Sequence, residues 1–175
     1  MEQEVAVRAA WEGDLELLAR ILREQGASDA IRDEHAATLL HHAAKAGQLS
    51  TVSLLLSEGA AVNAMDENAS TPLHWACTNG QLPVAAALVA RGAQVLAKDA
   101  YNESTPLHCA ASSGNSTLVE LLLSSGAEVN TRDKDGDTPL HRAAEAGRSA
   151  VMALLLQRGA LVDAQGHVTA LVWCP

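Results

Sequence analysis

Apolar residues recur along the chain in paired short clusters with helical spacing, and a glycine separates the two members of each pair. Toward the C-terminal end, Leu140 and Ala143 begin one cluster, Gly147 follows, and residues 151–155 supply the next. Spacings of three and four residues predict two short helices, each with one apolar face. Gly147 allows a tight reversal between them, and Gly159 ends the second helix.

The same pair of clusters occurs earlier in the chain at intervals of 33 or 34 residues. Gly-Ala marks the end of each unit, at Gly26, Gly59, Gly92, Gly126 and Gly159. The earlier second helices carry Val52, Leu54 and Leu55; Val84, Leu88 and Val89; and Leu118, Val119, Leu121 and Leu122. A single helix pair cannot bury its apolar face alone. The repeated pattern therefore predicts a stack of about ten helices with one continuous core.

A short motif opens most units. Thr-Pro-Leu-His occurs at Thr71–His74, Thr105–His108 and Thr138–His141, and a degraded copy occupies Thr38–His41. Threonine can cap a helix and proline suits its first turn. A period of about 33 residues that carries this motif resembles the ankyrin-repeat family. The resemblance implies an all-α solenoid of helix-turn-helix units with projecting hairpin loops.

The resemblance divides the chain into five repeats and a remnant. Residues 1–33 form an N-terminal capping repeat without the motif, and residues 34–66, 67–99, 100–133 and 134–166 form four further repeats. Residues 167–175 are the truncated start of another repeat, so this end lacks the polar cap that solenoids need. A fragment, an alternative product of a longer protein or an end sheltered by a partner would each explain this. In the capping repeat we expect an inward set of Val5, Val7, Ala10, Leu15, Leu18, Ile21 and Leu22.

Composition and charge narrow the range of partners that the protein can be expected to bind. A net charge of −9 with only three lysines disfavours direct binding to nucleic acid and favours a protein partner with a basic surface. No secretory leader and no apolar run of membrane-spanning length are present in the sequence. The three scattered cysteines are expected to be reduced thiols in the cytoplasm or nucleus.

The sequence carries no pattern typical of catalysis. There is no glycine-rich phosphate loop, no nucleophile with a recognisable base and no cysteine–histidine pattern for zinc. We therefore expect no enzyme activity, no catalytic residue, no metal and no cofactor. His74, His108 and His141 occupy the position that is structural in the family, and Cys77 and Cys109 are expected to pack in first helices.

The resemblance implies a concave binding face made of hairpin tips and first helices. The insertion that lengthens one spacing to 34 is expected in the tip at residues 98–104. Trp75 and Tyr101 are expected to anchor a partner because aromatic side chains are favoured at interfaces. The alternative for Trp75 is that it packs against the neighbouring helices. The other expected contacts are Glu67, Asn68, Thr78, Asn79, Asn102, Lys134, Asp135 and Arg142.

Two functional alternatives and one modification follow from the resemblance. The chain is expected to be an adaptor, scaffold or inhibitor. The alternative is the substrate-recognition arm of a larger assembly, such as a ubiquitin-ligase receptor, or a piece of a longer ankyrin protein. Asn130, with Leu122 eight residues before and Glu128 two before, resembles a substrate of asparaginyl hydroxylase. The alternative role for Asn130 is to stabilise its turn.

Overall fold

The computed structural model of the protein describes residues 2–25 and 28–162. Those ranges contain ten α-helices and no strand, apart from an isolated antiparallel bridge between Arg32 and Thr38. A 3₁₀ turn at Ser28–Ala30 follows the second helix. The helices are α1 (Glu2–Glu12), α2 (Leu15–Gln25), α3 (Leu39–Ala46), α4 (Leu49–Ser57), α5 (Pro72–Thr78), α6 (Leu82–Ala90), α7 (Pro106–Ser113), α8 (Ser116–Ser124), α9 (Pro139–Glu145) and α10 (Ser149–Gln157). The predicted all-α architecture is confirmed.

The helices form two layers around a small aliphatic core. Odd-numbered helices pack on one another along the stack, and each also packs on the even-numbered helix that follows it. The alanines Ala43, Ala76, Ala110 and Ala143 are fully buried at equivalent positions of the odd-numbered layer. Their small side chains allow neighbouring helices to approach closely, which is how a chain without phenylalanine fills its core.

The prediction of which side chains in the capping repeat face the core is wrong at two positions. Leu18 and Ala10 are buried, but Val5 is 46% exposed and Leu15 is 40% exposed. Val5 lies beside the face through which Ala6 and Ala10 reach the core. Leu15 is the first residue of α2, so no preceding helical turn covers it, and Leu49 at the start of α4 is exposed for the same reason.

The Thr-Pro-Leu-His motif caps each first helix through the histidine ring. The backbone N–H of Thr71 donates to Nδ1 of His74 at 3.1 Å, and Pro72 occupies the first turn. The hydroxyl of Thr71 lies 2.9 Å from the same nitrogen. Because Nδ1 accepts from a backbone donor, the proton of the neutral ring is on Nε2.

That Nε2 proton joins each repeat to the next. His74 Nε2 donates to the backbone carbonyl of Ser104 at 3.1 Å, across the boundary between two repeats. His41 and His108 make the same contact to Ser70 and Asp137, at 3.0 Å each. All three rings are buried, and burial lowers their pKa values although the carbonyl contacts act in the opposite direction.

Four hairpin loops precede α3, α5, α7 and α9, and backbone hydrogen bonds join their tips into a continuous edge. Glu67 N–H donates to His35 O at 2.9 Å, and Ala100 N–H donates to Asn68 O at 2.7 Å. Lys134 N–H continues the series. Each hairpin also contains one residue of positive φ. Gly136 takes this conformation at low cost, whereas the equivalent residues Ala36, Ala69 and Glu103 are strained.

Side chains at the opposite edge make a second series of bonds between repeats. Gln81 Nε2 donates to Lys45 O at 3.2 Å, and Arg148 Nε donates to Ser112 O at 2.9 Å. The side chain of Gln81 lies so close to Gly47 that a Cβ there would be 2.4 Å from its amide oxygen. The expected remnant at 167–175 lies outside the described residues.

Acidification should destabilise this fold. Above a pH of about 6.5, the imidazoles of the unfolded chain are neutral, as the buried rings are. As the pH falls through that value, the unfolded state takes up protons that the folded state resists. Stability is therefore lost until the lowered pKa values of His41, His74 and His108 are reached. Thermal melting followed by circular dichroism from about pH 8 to about pH 5 should show a falling midpoint.

His35 provides a matched control because it is exposed. Its contact with Glu67 raises the pKa of His35, so this ring contributes stability at low pH that is lost as the pH rises through its raised pKa. His35→Gln should leave the acid-induced loss in place or make it steeper. A melting midpoint that rises on acidification in both proteins would contradict the account.

Candidate protein-binding face

The hairpin tips and the exposed sides of α1, α3, α5, α7 and α9 lie along one side of the stack, here called the hairpin face. Its tips are residues 32–36, 65–70, 98–104 and 132–137. The inserted residue lies in the third tip. In the second hairpin, Asn68 N–H and Ser70 N–H bond to Asp66, whereas in the third Asp99 bonds to residues three and five positions ahead. The extra residue thus widens the third tip.

An aspartate shapes each hairpin and, in three of the four, also binds the first helix. One carboxylate oxygen accepts backbone N–H groups of the tip, and the second accepts from the side chain that follows the motif histidine. Sequence reasoning missed this connection. The three hydrogen-bonded pairs are His42 Nε2 with Asp33 (2.9 Å), Trp75 Nε1 with Asp66 (3.0 Å) and Arg142 Nη2 with Asp133 (2.5 Å).

In the first and last of these pairs, burial and the bonded partners act in opposite directions on a pKa value. Burial acts to raise the pKa of Asp33, but the N–H groups of Ala37 and His35 and the His42 ring outweigh it and lower that pKa. Burial opposes the charge of Arg142, but Asp133 outweighs burial and raises the pKa of Arg142. Arg142 also lies 3.3 Å from Glu145. Its guanidinium is therefore largely occupied within the chain.

Trp75 lies on the hairpin face but is only partly available to a partner. The side chain is half-buried, and its indole N–H is bonded to Asp66. The ring makes edge contacts with His41 and His42, at centroid distances of 5.3 and 5.5 Å. Lys45 Nζ lies 5.3 Å from its centroid. Trp75 thus has packing contacts, and the anchor role stays a prediction.

Trp11 extends this aromatic cluster toward the N-terminus, and the sequence analysis did not single it out. Lys45 Nζ lies 5.7 Å from the Trp11 centroid, so one ammonium group lies near both indoles. The Trp11 side chain is 43% exposed. It borders a groove of about 570 Å³, the N-terminal groove, which Asp33 and His42 also line. The first repeat lacks the motif, so no motif position pointed to Trp11.

Tyr101 is the most exposed aromatic residue described on this face. It lies on the widened third tip, and its side chain is 71% exposed. Lys134 Nζ donates to the Tyr101 carbonyl at 2.6 Å and lies 4.9 Å from the ring centroid. This contact orients the tip without covering the ring. Tyr101 and Trp75 lie on consecutive repeats.

The remaining predicted contacts are placed on the hairpin face, mostly near the second, third and fourth tips. Thr78 and Asn79 line a second groove of about 420 Å³, the central groove, together with Cys109, Ser112 and Ser113. Thr78 Oγ1 and Asn79 Nδ2 also donate to carbonyls of α5. On the tips, Glu67, Asn68, Lys134 and Asp135 are exposed and Asn102 is half-buried.

Asn130 lies apart from the hairpin face, in a turn between α8 and the fourth hairpin. Its Nδ2 donates to Gly159 O at 3.1 Å, and its Oδ1 accepts from Leu161 N–H at 2.9 Å. Asn63 makes the equivalent pair of bonds to Gly92 and Gln94. The side chain therefore joins consecutive repeats. Hydroxylation at Asn130 stays a prediction, and the residue is half-buried beside these bonds.

The thiols of the described residues are not activated. Burial raises the pKa of Cys77 well above its usual value, and burial raises the pKa of the half-buried Cys109 to about 11. In the part of the chain that the structure describes, no three histidine, cysteine or acidic side chains form a group that could hold a metal ion. None of the described helices is long and apolar enough to cross a bilayer.

The comparison with family models settles the relationship. The model for ankyrin repeats (3 copies) matches residues 6–99 and 93–166. The chain belongs to the ankyrin-repeat family. No curated protein matches it closely enough to count as a relative. The family assignment agrees with the helix pairs, capping motifs and hairpins described above, and ankyrin repeats are in general protein–protein interaction modules.

Substitution of the two predicted anchors should affect stability very differently. Trp75→Ala removes a half-buried ring and leaves Asp66 without its indole donor, so it should cost about 2 kcal/mol or more of unfolding free energy. Tyr101→Ala removes an exposed ring and should change that energy by less than about 0.5 kcal/mol. Urea denaturation of both variants measures the difference. Equal losses would show that the described environment of one ring is wrong.

Proposed function

We propose that this ankyrin-repeat protein is a non-catalytic module that holds a protein partner on its hairpin face. The proposal is supported by the general role of the family and above all by the exposed aromatic rings on this one face. Trp11 and Tyr101 are both more than a third exposed, yet each has a lysine near its ring. Aromatic rings held in place lose little conformational entropy on binding, so such residues make effective anchors.

The charge distribution favours a partner with a basic contact surface. The described lysines of the hairpin face are engaged within the chain: Lys45 beside indole rings, Lys98 with Glu103 and Arg132 O, and Lys134 with Tyr101. The Glu34 carboxylate, 3.7 Å from the His35 ring, is largely exposed on the first tip, and the Asp135 side chain is exposed on the fourth. Together with the net charge of −9, these groups favour basic over acidic partners.

Affinity capture with variant proteins tests the proposal. The face variant carries Trp11→Ala and Tyr101→Ala, which avoid the half-buried Trp75. The control variant carries Leu15→Ala and Leu49→Ala, two exposed apolar residues at the starts of second helices. Proteins captured by the unsubstituted and control chains should be depleted about tenfold or more on the face variant. Capture should also weaken as salt is raised, because charge attraction is screened.

All three proteins should have the same circular dichroism spectrum, which separates lost binding from lost folding. Depletion on the control variant but not on the face variant would place the partner on the second-helix side and contradict the proposal. Equal capture by all three chains would show that the hairpin face is not the binding surface.

A further inference from the structure

The third hairpin breaks the rule that the other three described hairpins follow. In those three, the second carboxylate oxygen of the hairpin aspartate accepts a side-chain N–H from the residue after the motif histidine. In the third, that residue is Cys109, which has no N–H in its side chain. The Thr78 hydroxyl, which neighbours the Cys109 thiol, donates its own proton to His74 O at 2.9 Å. Among the described residues, no donor lies within hydrogen-bonding distance of Asp99 Oδ2.

The carboxylate group of Asp99 is nevertheless held in position. Asp99 Oδ1 accepts from Asn102 N–H at 2.8 Å and from Ser104 N–H at 3.3 Å. The Asp99 backbone N–H donates to Ser104 O at 3.0 Å. The carboxylate that carries Oδ2 is thus fixed by backbone donors of its own hairpin, as in the other three, although the inserted residue moves these donors one position along the chain. An acceptor that is already oriented loses little entropy when a donor arrives.

There is space beside Cys109, the residue at the position that supplies the donor in the other repeats. Cys109 lines the central groove, with Thr78 and Asn79 on one wall and Ser112 and Ser113 on the other. Apart from Arg148, whose Nε donates to Ser112 O at 2.9 Å, the side chains that line this groove are short and neutral, and they leave about 420 Å³ open. The groove therefore admits a side chain from outside next to position 109, where the other repeats provide their own donor.

The neighbouring repeat shows which side chain fits. Arg142 follows the motif histidine of the fourth hairpin, and its Nε and Nη2 both reach Asp133 Oδ2, at 3.1 and 2.5 Å. Its Nη1 lies 3.3 Å from Glu145. In the repeat that contains the third hairpin, the position equivalent to Glu145 is Ser112, whose hydroxyl can accept the same kind of bond.

We propose that Asp99 is the acceptor for an arginine of the protein partner, whose guanidinium takes the place beside Cys109 that Arg142 fills in the next repeat. This inference rests on the proposed function. The lysines of the third and fourth tips do not fill the site, since Lys98 is paired with Glu103 and Lys134 is bonded to the Tyr101 carbonyl. A guanidinium is preferred over an ammonium because its flat fork donates along several directions.

The first test uses the protein alone. Cys109→Arg supplies the missing donor from within the chain, and Cys109→Met is the matched control without a donor. Cys109→Arg should have a higher urea midpoint than Cys109→Met, and Asp99→Asn should abolish most of that difference. A difference that persists in the Asp99→Asn background would show that the arginine gains nothing from Asp99, which would overturn the inferred geometry.

The second test uses a random peptide library displayed on phage, selected against the immobilised full chain. Selected peptides should share an arginine whose replacement by alanine or lysine weakens binding about tenfold or more. The same loss is expected on Asp99→Asn, and on Cys109→Arg, in which the site is already filled. Glu58→Gln removes an exposed carboxylate at the end of α4, outside the hairpin face, and should leave affinity within about twofold.

The outcomes separate the inference from the function on which it rests. Peptides that bind the hairpin face and keep their affinity on Asp99→Asn overturn the arginine site and leave the proposed function in place. A chain that selects no peptide counts against the proposed function itself, and the inference falls with it. Equal losses on Asp99→Asn and Glu58→Gln would show only general charge attraction, which overturns the specific site.

Discussion

The architecture depends on a buried histidine that satisfies two backbone groups at once. In the motif, Nδ1 accepts the N–H of the capping threonine, and Nε2 donates to the carbonyl that ends the next hairpin. A buried backbone group without a partner is costly, so one neutral ring removes two such costs. Because the second contact crosses to the next repeat, the same ring caps one helix and positions the following hairpin.

That coupling explains why the hairpin face tolerates variation. The histidine holds the end of each hairpin, and the aspartate holds its tip, so the residue after the histidine is free to differ. It is His42, Trp75, Cys109 and Arg142 in successive repeats. Three of these side chains bond the aspartate and one does not. Function can therefore change at this position without loss of the scaffold, which is typical of sites carried by repeat folds.

The fold was predictable because each repeat presents the same local chemistry several times. Thr71, Pro72 and His74 specify a capped helix start, and Gly47 and Gly114 end first helices in the left-handed conformation that glycine adopts cheaply. The exposed start of α2 was missed because a helical apolar stripe contains no information about where the neighbouring helix ends. Leu15 fits the stripe but extends beyond the layer that would cover it.

The candidate site was predictable only in part. Tyr101 could be placed on a tip from the one-residue insertion, and its exposure follows from that. The role of Trp75 could not be read from its position, because its indole bond depends on where Asp66 points. A signal was present in the spacing: the aspartate precedes its partner by nine residues in each bonded pair, and Asp99 precedes Cys109 by ten. Only the structure shows that this spacing corresponds to a hydrogen bond.

The central claim is that neutral rings with the proton on Nε2 connect the repeats. Nitrogen-15 NMR of the histidine side chains near pH 7 observes this directly, since protonated and unprotonated ring nitrogens have well-separated shifts. His41, His74 and His108 should each show an unprotonated Nδ1 and a protonated Nε2 that exchanges slowly with solvent. Rings protonated on Nδ1, or rings averaging rapidly between the two forms, would contradict the account.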